Sequence, residues 1–377
     1  MLNAKPASLP ATPDQRALRQ VDRAITDLRR GGMVLLREGG AALIAQAAEA
    51  VTAESLARLR GLAGGSLSLA LTLRRAAALG LAEPPSGKGG AVLLRLAADA
   101  AAEELRDLAD PGAEAAEPLP LAPVTEATGA ADAAVELVKL ARLLPAMVVA
   151  PLPPRAASTL AEREGLLLLE AAQVTGYQAI AARSLQPVSE ARVPLADAEN
   201  TRIIAFRPSD GGIEHLAILI GDPDPETPVL LRLHSECFTG DLLGSLRCDC
   251  GDQLRGAIAE IARAGNGVLL YLAQEGRGIG LVNKLRAYRL QDAGLDTVDA
   301  NEQLGFDADE RVYLPAAEML RQLGFARVRL LTNNPEKVAA LTRCGIDVVE
   351  RVPHIFPANG HNERYLRTKA TRSGHWL

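Results

Sequence analysis

The sequence predicts an α/β protein of two domains, on three observations. The chain has 377 residues, 48% of them hydrophobic, which suits about two globular domains. Short apolar runs alternate with longer amphipathic segments, as strands alternate with helices. All five Phe, all four Cys and all five His lie after residue 200, so the composition changes along the chain. We therefore predict an N-terminal domain over residues 1–195 and a C-terminal domain over residues 196–377.

Apolar periodicity predicts six strands and four helices in the C-terminal domain. The predicted strands are Ile203–Phe206, Leu216–Ile220, Val229–Leu233, Val268–Leu272, Val328–Leu331 and Val348–Val349. The predicted helices are Gln253–Ala264, Leu281–Ala293, Ala316–Leu323 and Pro335–Arg343. The first strands follow one another like hairpins and the later ones are separated by helices, which predicts a mixed sheet. Sites in such folds gather at strand ends.

The N-terminal domain is rich in Ala and Leu and predicts helices with charged faces separated by short buried strands. Ala133–Leu144 is a predicted helix, while Met33–Leu36 and Ala91–Leu94 are predicted strands. Asp110–Pro123, with four prolines and several acids, is predicted to be an exposed loop.

Charge and hydropathy exclude several classes of protein. The net charge of −5 provides no basic surface for nucleic acid or an anionic membrane. Gly61–Leu73, one of the longest uncharged stretches, is too short to span a bilayer. The N-terminus has no charged-then-apolar signal pattern and cysteines are few, which predicts a cytoplasmic protein.

Three cysteines, Cys237, Cys248 and Cys250, lie in one short segment crowded with ionisable residues. Such a cluster is typical of a soft-metal site, and the natural metal is zinc. Three thiolates plus water would form an open catalytic site, whereas a fourth ligand from His234 would close a structural one. The Cys-x-Cys step and the lack of a second cysteine pair favour the catalytic alternative. Cys344 stands apart and is predicted to be a small buried apolar residue.

Two further segments lie where strands end and helices begin. The glycine run Gly276–Gly280 can bring backbone N–H groups close to a phosphate, although such a run is also common in a tight turn. Asn334 can cap a helix that begins at Pro335, leaving Thr332 and Lys337 near its positive end. An ordinary capped helix is an equal alternative.

Together these segments closely resemble the GTP cyclohydrolase II family over nearly all of residues 201–377. The resemblance rests on His234–Gly251, Gln274–Leu281, Asn283–Lys284, Arg286–Tyr288, Asp296–Phe306, Asp309–Arg311 and Leu331–Pro335. It implies hydrolysis of GTP to 2,5-diamino-6-(5-phospho-ribosylamino)pyrimidin-4-one, with release of formate and pyrophosphate, as the first step of riboflavin biosynthesis. GTP and water would be the substrates and a homodimer the assembly.

The resemblance also implies a role for each site residue. Cys237, Cys248 and Cys250 would bind one zinc ion per chain and so activate the water that attacks C8 of guanine. The GTP-binding residues would be Arg232, Leu233, His234, Ser235, Glu236, Gln253, Glu275, Gly276, Arg277, Thr297, Thr332 and Lys337. Mg²⁺ would neutralise the remaining charge of the phosphates.

The catalytic residues implied by the resemblance are Tyr288, Asp309 as proton acceptor and Arg311 as nucleophile towards the α-phosphorus. Because a guanidinium has a pKa above 12, stabilisation of phosphoryl charge by Arg311 is the alternative. Ala273 departs from the family, in which many members carry arginine at this position. A paralogue that stops before deformylation, or a non-catalytic zinc and nucleotide-binding regulatory protein, are the alternative functions.

The N-terminal domain resembles dihydroxybutanone phosphate synthase over Val21–Leu36, Gly129–Leu144 and Leu160–Tyr177. That family holds magnesium with an acidic run, whereas the corresponding Arg37–Ala42 is almost free of carboxylates. The family's Gly-His-Thr-Glu signature is matched here by Gly129-Ala130-Ala131-Asp132. We therefore predict a degenerate, non-catalytic domain that serves folding, dimerisation or regulation.

Overall fold

The computed structural model describes residues 12–87, 89–112, 124–127 and 129–356, together with residues 360 and 372. Within these ranges the chain forms two seven-stranded sheets with helices packed against them. This confirms the predicted α/β class. Most of the predicted loop Asp110–Pro123 lies outside the described residues. No described helix has the length and apolarity that a membrane-crossing segment needs.

The first sheet is formed by the N-terminal half. Its strands are β1 (Met33–Glu38), β2 (Ala41–Ala47), β3 (Ser68–Thr72), β4 (Ala91–Arg95), β5 (Val124–Glu126), β6 (Ala146–Leu152) and β7 (Leu168–Glu170). They lie in the order β5-β4-β3-β6-β2-β1-β7, antiparallel except for the parallel pair of β1 and β7. Both faces of this sheet are apolar and carry separate buried clusters of side chains.

Seven described α-helices accompany the first sheet. They are α1 (Pro13–Arg29), α2 (Ala53–Ala63), α3 (Leu73–Ala78), α4 (Ala102–Ala109), α5 (Ala130–Leu140), α6 (Pro154–Glu164) and α7 (Ala171–Arg183). Helix α5 ends before Leu144, the predicted end, because Arg142 has a left-handed backbone with φ of 57°. Pro145 follows closely and also disfavours helical geometry in the residue before it.

The second sheet is formed by the C-terminal half. Its strands are β8 (Gln186–Arg192), β9 (Thr201–Arg207), β10 (His215–Ile220), β11 (Val229–Ser235), β12 (Gly267–Leu272), β13 (Arg327–Leu331) and β14 (Asp347–Val352). They lie in the order β14-β13-β11-β12-β10-β9-β8. The first four in this order are parallel and the others antiparallel, so the predicted mixed sheet is confirmed. Strand β8 precedes the predicted boundary between residues 195 and 196.

Five described α-helices belong to the C-terminal half. They are α8 (Cys250–Arg263), α9 (Leu281–Asp292), α10 (Thr297–Gln303), α11 (Leu314–Gln322) and α12 (Pro335–Arg343). Asn334 caps α12 as predicted, since its side chain accepts a hydrogen bond from the Glu336 N–H at 2.9 Å. Cys344 follows the same helix and is partly buried against the core of the second sheet.

One apolar cluster contains residues of both halves. Ile279, Ala287 and Phe306 belong to the C-terminal half by sequence, yet they are buried in a cluster formed mainly around the first sheet. The Thr72 hydroxyl donates to the Gly305 carbonyl at 2.7 Å across the same contact. Helices α9 and α10 therefore pack against the N-terminal half, and residues of both helices also line the cleft described next.

Candidate active site

A cleft opens at the carboxyl ends of β13, β11 and β12, three adjacent parallel strands. Loops leaving such strand ends point to the same side of a sheet, so they bring together side chains that are distant in sequence. The predicted site residues that line the cleft are Arg232, His234, Ser235, Glu236, Cys237, Cys248, Cys250, Gln253, Glu275, Gly276, Arg277, Tyr288, Thr297, Arg311, Thr332 and Lys337. Leu233 and Asp309 do not line it, although both contact residues that do.

The three thiols lie together in this cleft. The sulfur atoms of Cys237, Cys248 and Cys250 are within 4.8 Å of one another, and those of Cys237 and Cys248 are 3.7 Å apart. Cys237 and Cys248 are buried, whereas Cys250 is partly exposed. Across the part of the chain that the structure describes, this is the one cluster of three or more metal-ligating side chains with such an approach.

The absence of a side chain at Gly240 leaves room between the thiols. A Cβ atom at this position would lie 2.8 Å from the Cys248 sulfur and 3.0 Å from the Cys237 sulfur. Both distances are shorter than ordinary van der Waals contact, so even alanine would push the sulfurs apart. The donor set, the spacing and this small cradle all fit a zinc ion bound by three thiolates.

A buried cation balances the charge of the thiol cluster. The Lys284 ammonium lies 3.1 Å from the Cys237 sulfur and 2.8 Å from a Glu275 carboxylate oxygen. Burial disfavours the ammonium, but the hydrogen bond to Glu275 and the neighbouring Cys237 outweigh it and raise the pKa of Lys284. Hydrogen bonds from the Cys248 and Cys250 thiols, with the nearby lysine, lower the pKa of Cys237. The site therefore favours a thiolate before any metal binds.

His234 is occupied by a different partner. Its Nε2 lies 3.0 Å from both Asp241 carboxylate oxygens, and its ring stacks on Tyr271 with centroids 5.6 Å apart. Asp241 also accepts hydrogen bonds from the Tyr271 hydroxyl and from the Cys237 N–H, each at 3.0 Å. Burial lowers the pKa of His234, so the ring is neutral near pH 7. The geometry thus assigns His234 to Asp241 and does not favour the alternative of a fourth metal ligand.

Buried cations form the opposite part of the cleft. Arg232 donates to the Leu331 carbonyl at 3.0 Å and to the Gln253 side chain, and burial lowers its pKa to about 10. Lys337 donates to the Leu233 carbonyl at 2.8 Å. Among the described residues, neither the Arg232 Nε nor the His234 Nδ1 has a hydrogen-bond partner. Buried polar atoms without partners are rare, and a polar ligand in the cleft would satisfy them.

The glycine run after β12 contains several residues with positive φ, more than an ordinary turn requires. Gly276, Gly278 and Gly280 have φ of 64°, 99° and 86°, and Arg277 between them has φ of 61°. Arginine rarely adopts this conformation. In it, the Arg277 guanidinium donates a hydrogen bond to the Ala308 carbonyl at 3.2 Å. The run therefore does more than change the chain direction, since it connects to the loop that carries Arg311.

Asp309 and Arg311 form a half-buried ion pair behind this run. The Arg311 Nε donates to the Asp309 carboxylate at 2.8 Å, and a second nitrogen of the guanidinium donates to its other oxygen. Burial alone would raise the pKa of Asp309, but the Arg311 charge and hydrogen bonds outweigh it and lower this pKa. Asp309 is thus ionised at neutral pH. It does not line the cleft itself but binds Arg311, which does.

Tyr288 projects from α9 towards the thiols. The Arg247 guanidinium lies over its ring, 4.4 Å from the centroid, and the Lys284 ammonium lies 5.8 Å away. Burial raises the pKa of Tyr288, so its hydroxyl keeps its proton at neutral pH. Such cation–π contacts fix the ring position beside the thiol cluster.

Other residues of the site had no role in the sequence-based prediction. In the sequence, Lys284 and Asp241 appear only within the segments that carry the family resemblance, Asn283–Lys284 and His234–Gly251. His354 also lines the cleft, where its backbone N–H donates to the Asn333 side chain at 3.0 Å and its carbonyl accepts from that side chain at 2.6 Å. Because His354 lies far from the motifs in sequence, no local pattern predicts that it lines the cleft.

Proteins of a known family are similar in sequence to this chain. Residues 186–353 match the sequence model of the family described as GTP cyclohydrolase II. The chain is 59% identical over 369 residues to a GTP cyclohydrolase-2 from Azospirillum brasilense, and this match covers 96% of the chain and 95% of that protein. A GTP cyclohydrolase-2 from Citrobacter koseri is 54% identical over 193 residues, covering 51% of the chain and 98% of that protein.

Two solved structures are weakly similar. A two-domain 3,4-dihydroxy-2-butanone 4-phosphate synthase from A. baumannii aligns with 83% of this chain and 93% of its own, at 18% identity and a TM-score of 0.35. The enzyme of the same name from Candida albicans aligns with 42% of this chain and 96% of its own, at 22% identity and a TM-score of 0.33. The match to the A. brasilense protein has a much higher sequence identity and covers nearly all of both chains. On that match, the chain belongs to the GTP cyclohydrolase II family.

Proposed function

We propose that this protein hydrolyses GTP to 2,5-diamino-6-(5-phospho-ribosylamino)pyrimidin-4-one, releasing formate and pyrophosphate, in riboflavin biosynthesis. The observation that carries the proposal is one cleft that holds three clustered thiols together with buried cations. Full-length similarity to a GTP cyclohydrolase-2 supports the same reaction. A binding-only protein has no need for both a thiol cluster and the Asp309–Arg311 pair.

Cys237, Cys248 and Cys250 would hold one zinc ion at the guanine end of the substrate. Zinc, when bound, acts as a Lewis acid that lowers the pKa of a bound water to ≈ 7. Lys284 offsets part of the thiolate charge. Glu275 and Gln253 line the cleft and would supply carboxylate and amide groups to the edges of the guanine base.

Arg232, Arg277 and Lys337 would bind the triphosphate, because fixed cations in a cleft stabilise phosphate oxygens. Mg²⁺ would accompany the phosphates, since this ion binds phosphate oxygens and retains several waters. Thr297 and Thr332 supply hydroxyl groups at the cleft wall. Arg311 faces the same space, so it could act on the α-phosphorus or stabilise its charge.

The proposed reaction is tested by incubating the purified protein with GTP, Mg²⁺ and Zn²⁺ and identifying the products by mass. We expect the diaminopyrimidine, formate and pyrophosphate in equal amounts. Pyrophosphate release without formate would instead indicate a paralogue that stops before deformylation. Binding of GTP without turnover would indicate a regulatory protein.

We expect one zinc ion per chain, held by the three clustered thiols. Metal analysis should find the ion lost in Cys250→Ser and strongly reduced in Gly240→Ala, whose methyl group would crowd two of the sulfurs. Cys344→Ser is the matched control and should retain full zinc, because Cys344 packs against the core of the second sheet instead. Zinc retained in Cys250→Ser would refute the ligand assignment.

We propose that the N-terminal half has no synthase activity of its own. The segment Arg37–Ala42, which corresponds to the magnesium-binding acidic run of the synthase family, contains a single carboxylate, Glu38. The full-length protein should therefore form no dihydroxybutanone phosphate from ribulose 5-phosphate and Mg²⁺, as followed by mass spectrometry. Turnover above that of heat-treated protein would contradict this.

A cytoplasmic homodimer is the proposed state of the protein in the cell. The low use of cysteine and the family resemblance support it. Light scattering of the full-length chain would give the mass of the assembly.

A further inference from the structure

The end of α5, in the N-terminal half, lies directly against two loops of the proposed GTP site. Lys139 occupies the last turn of α5, and Arg142 follows the helix. We call these two residues the α5 clamp. Their contacts are to the loop after β12, which carries Arg277, and to the loop that carries Arg311.

Arg142 holds the start of the loop after β12. Its guanidinium donates to the Ala273 carbonyl at 3.1 Å, while the Ala273 N–H donates to the His215 Nδ1 at 3.0 Å. The backbone of Ala273 is thus held from both sides, by one side chain from each half of the chain. The cleft residues Glu236 and Glu275 are the carboxylates whose charge acts on the Arg142 guanidinium.

Arg142 also packs against the end of the same loop. A Cβ atom on Gly280 would lie 3.0 to 3.4 Å from three carbon atoms of the Arg142 side chain. The Arg142 carbonyl accepts a hydrogen bond from the buried Asn283 side chain at 3.0 Å, and the same Nδ2 donates to the Ile279 carbonyl at 3.0 Å. The glycine at 280 is therefore needed for this close approach.

The backbone of Arg142 is strained. Its φ of 57° lies in the left-handed region, which favours glycine. Among the described residues, the other non-glycine residue with positive φ is Arg277, on the loop that Arg142 contacts. Strained residues persist where the surroundings fix them and often mark functional positions. An arginine kept in a glycine conformation indicates that its side chain is used.

Lys139 holds the second loop. Its ammonium lies 2.8 Å from a Glu310 carboxylate oxygen, and both side chains are largely buried. That oxygen also accepts the Asp307 N–H at 2.8 Å, and the Glu310 N–H donates to the Arg277 carbonyl at 3.1 Å. Glu310 lies between Asp309 and Arg311 in sequence, so Lys139 holds the loop of the ion pair and ties it to the loop after β12.

We propose that Arg142 and Lys139 are positioning residues for the GTP site, through which the N-terminal half sets the geometry of Arg277 and Arg311. As a statement about turnover, this rests on the proposed GTP cyclohydrolase function. Misplacement of a reacting group by about 1 Å can cost ~10²-fold in rate, so loops held from another domain can control catalysis without touching substrate.

The test compares Arg142→Gly with Tyr177→Phe in the full-length protein. Tyr177→Phe removes another hydrogen bond between the halves, from the Tyr177 hydroxyl to Asp210 at 2.8 Å, and Asp210 lies in neither loop. Glycine suits the backbone at position 142, so Arg142→Gly should unfold no more readily than the control. We nevertheless expect kcat for GTP to fall ~10-fold or more, with zinc content unchanged, whereas Tyr177→Phe keeps the wild-type kcat.

Two further measurements separate positioning from a merely structural role. Arg142→Lys, which retains a donor and the charge, should recover part of the kcat that Arg142→Gly loses. Hydrogen exchange of residues 274–280 and 309–311 should quicken in Arg142→Gly and in Lys139→Met but stay at the wild-type rate in Tyr177→Phe.

Wild-type exchange in both loops of Arg142→Gly and Lys139→Met would overturn the proposal, whether or not the protein turns over GTP. A wild type that does not turn over GTP would refute the proposed function alone, since the exchange measurement still decides the clamp. Equal kcat in Arg142→Gly and Tyr177→Phe, with an active wild type, would also overturn it.

Discussion

Cys248→Ser is expected to abolish formate release from GTP while part of the pyrophosphate release survives. The thiol of Cys248 is buried 3.7 Å from that of Cys237, so its loss removes one of the three thiols proposed to bind zinc. Without zinc, an uncoordinated water supplies many orders of magnitude less hydroxide at pH 7 than a zinc-bound water with a pKa of ≈ 7. We therefore expect formate release to fall by at least ~10³-fold.

Pyrophosphate release should be less sensitive, because the cations proposed to bind the phosphates are held in place without the thiols. Arg277 is fixed by the Ala308 carbonyl and Lys337 by the Leu233 carbonyl. Neither contact passes through Cys248. When different groups act on different bonds of one substrate, a mutation can slow one reaction more than the other. The two products should therefore no longer form in equal amounts.

The measurement is the simultaneous quantification of formate and pyrophosphate from one reaction, with zinc content determined on the same sample. Cys344→Ser is the control and should release both products at wild-type rates. Formate release that persists in Cys248→Ser after its zinc is lost would mean that the metal does not activate the attacking water. Equal loss of both products would mean that ring opening must precede attack on the phosphate.

The parts of the fold that sequence predicted are those with a strong local pattern. All six predicted strands of the second sheet are present. Five of them are apolar runs with buried residues, whereas Val348–Val349 is a short apolar pair in the mostly exposed edge strand β14. Helix α12 has its predicted bounds because Asn334 and Pro335 define its start. Strand β8 was missed because it is fully exposed and contains a proline, so no apolar alternation marks it. The seven-residue α10 is too short for a periodic signal.

The same distinction applies to the site. Clustering of Cys237, Cys248 and Cys250 was predictable because they are close in sequence and share one chemistry. The pairing of His234 with Asp241 was not, since either residue type occurs in metal sites and only the fold decides which atoms meet. The contact of Arg142 with Ala273 joins residues that are 131 positions apart, and it depends on the packing of two domains.

Arg311→Ala is expected to suppress both formate and pyrophosphate, if attack on the phosphate comes first and commits the substrate. Arg311 faces the cleft, and its guanidinium is held by the half-buried Asp309 carboxylate through two nitrogens. Asp309 is ionised, as its lowered pKa requires, so it favours the protonated guanidinium. This geometry supports stabilisation of phosphoryl charge more directly than nucleophilic attack, which needs a neutral guanidine.

The residual rate distinguishes the two roles. Loss of one preorganised charge-stabilising group costs ~10²–10³ in rate, whereas loss of an obligatory nucleophile leaves essentially no turnover. Arg311→Lys retains a positive charge and should recover part of the rate if charge is what matters. We expect measurable turnover by Arg311→Ala and more by Arg311→Lys, in single-turnover assays that follow both products. Turnover at the uncatalysed level in both variants, with zinc and folding intact, would instead make Arg311 the nucleophile, and Asp309 would then have to accept its proton.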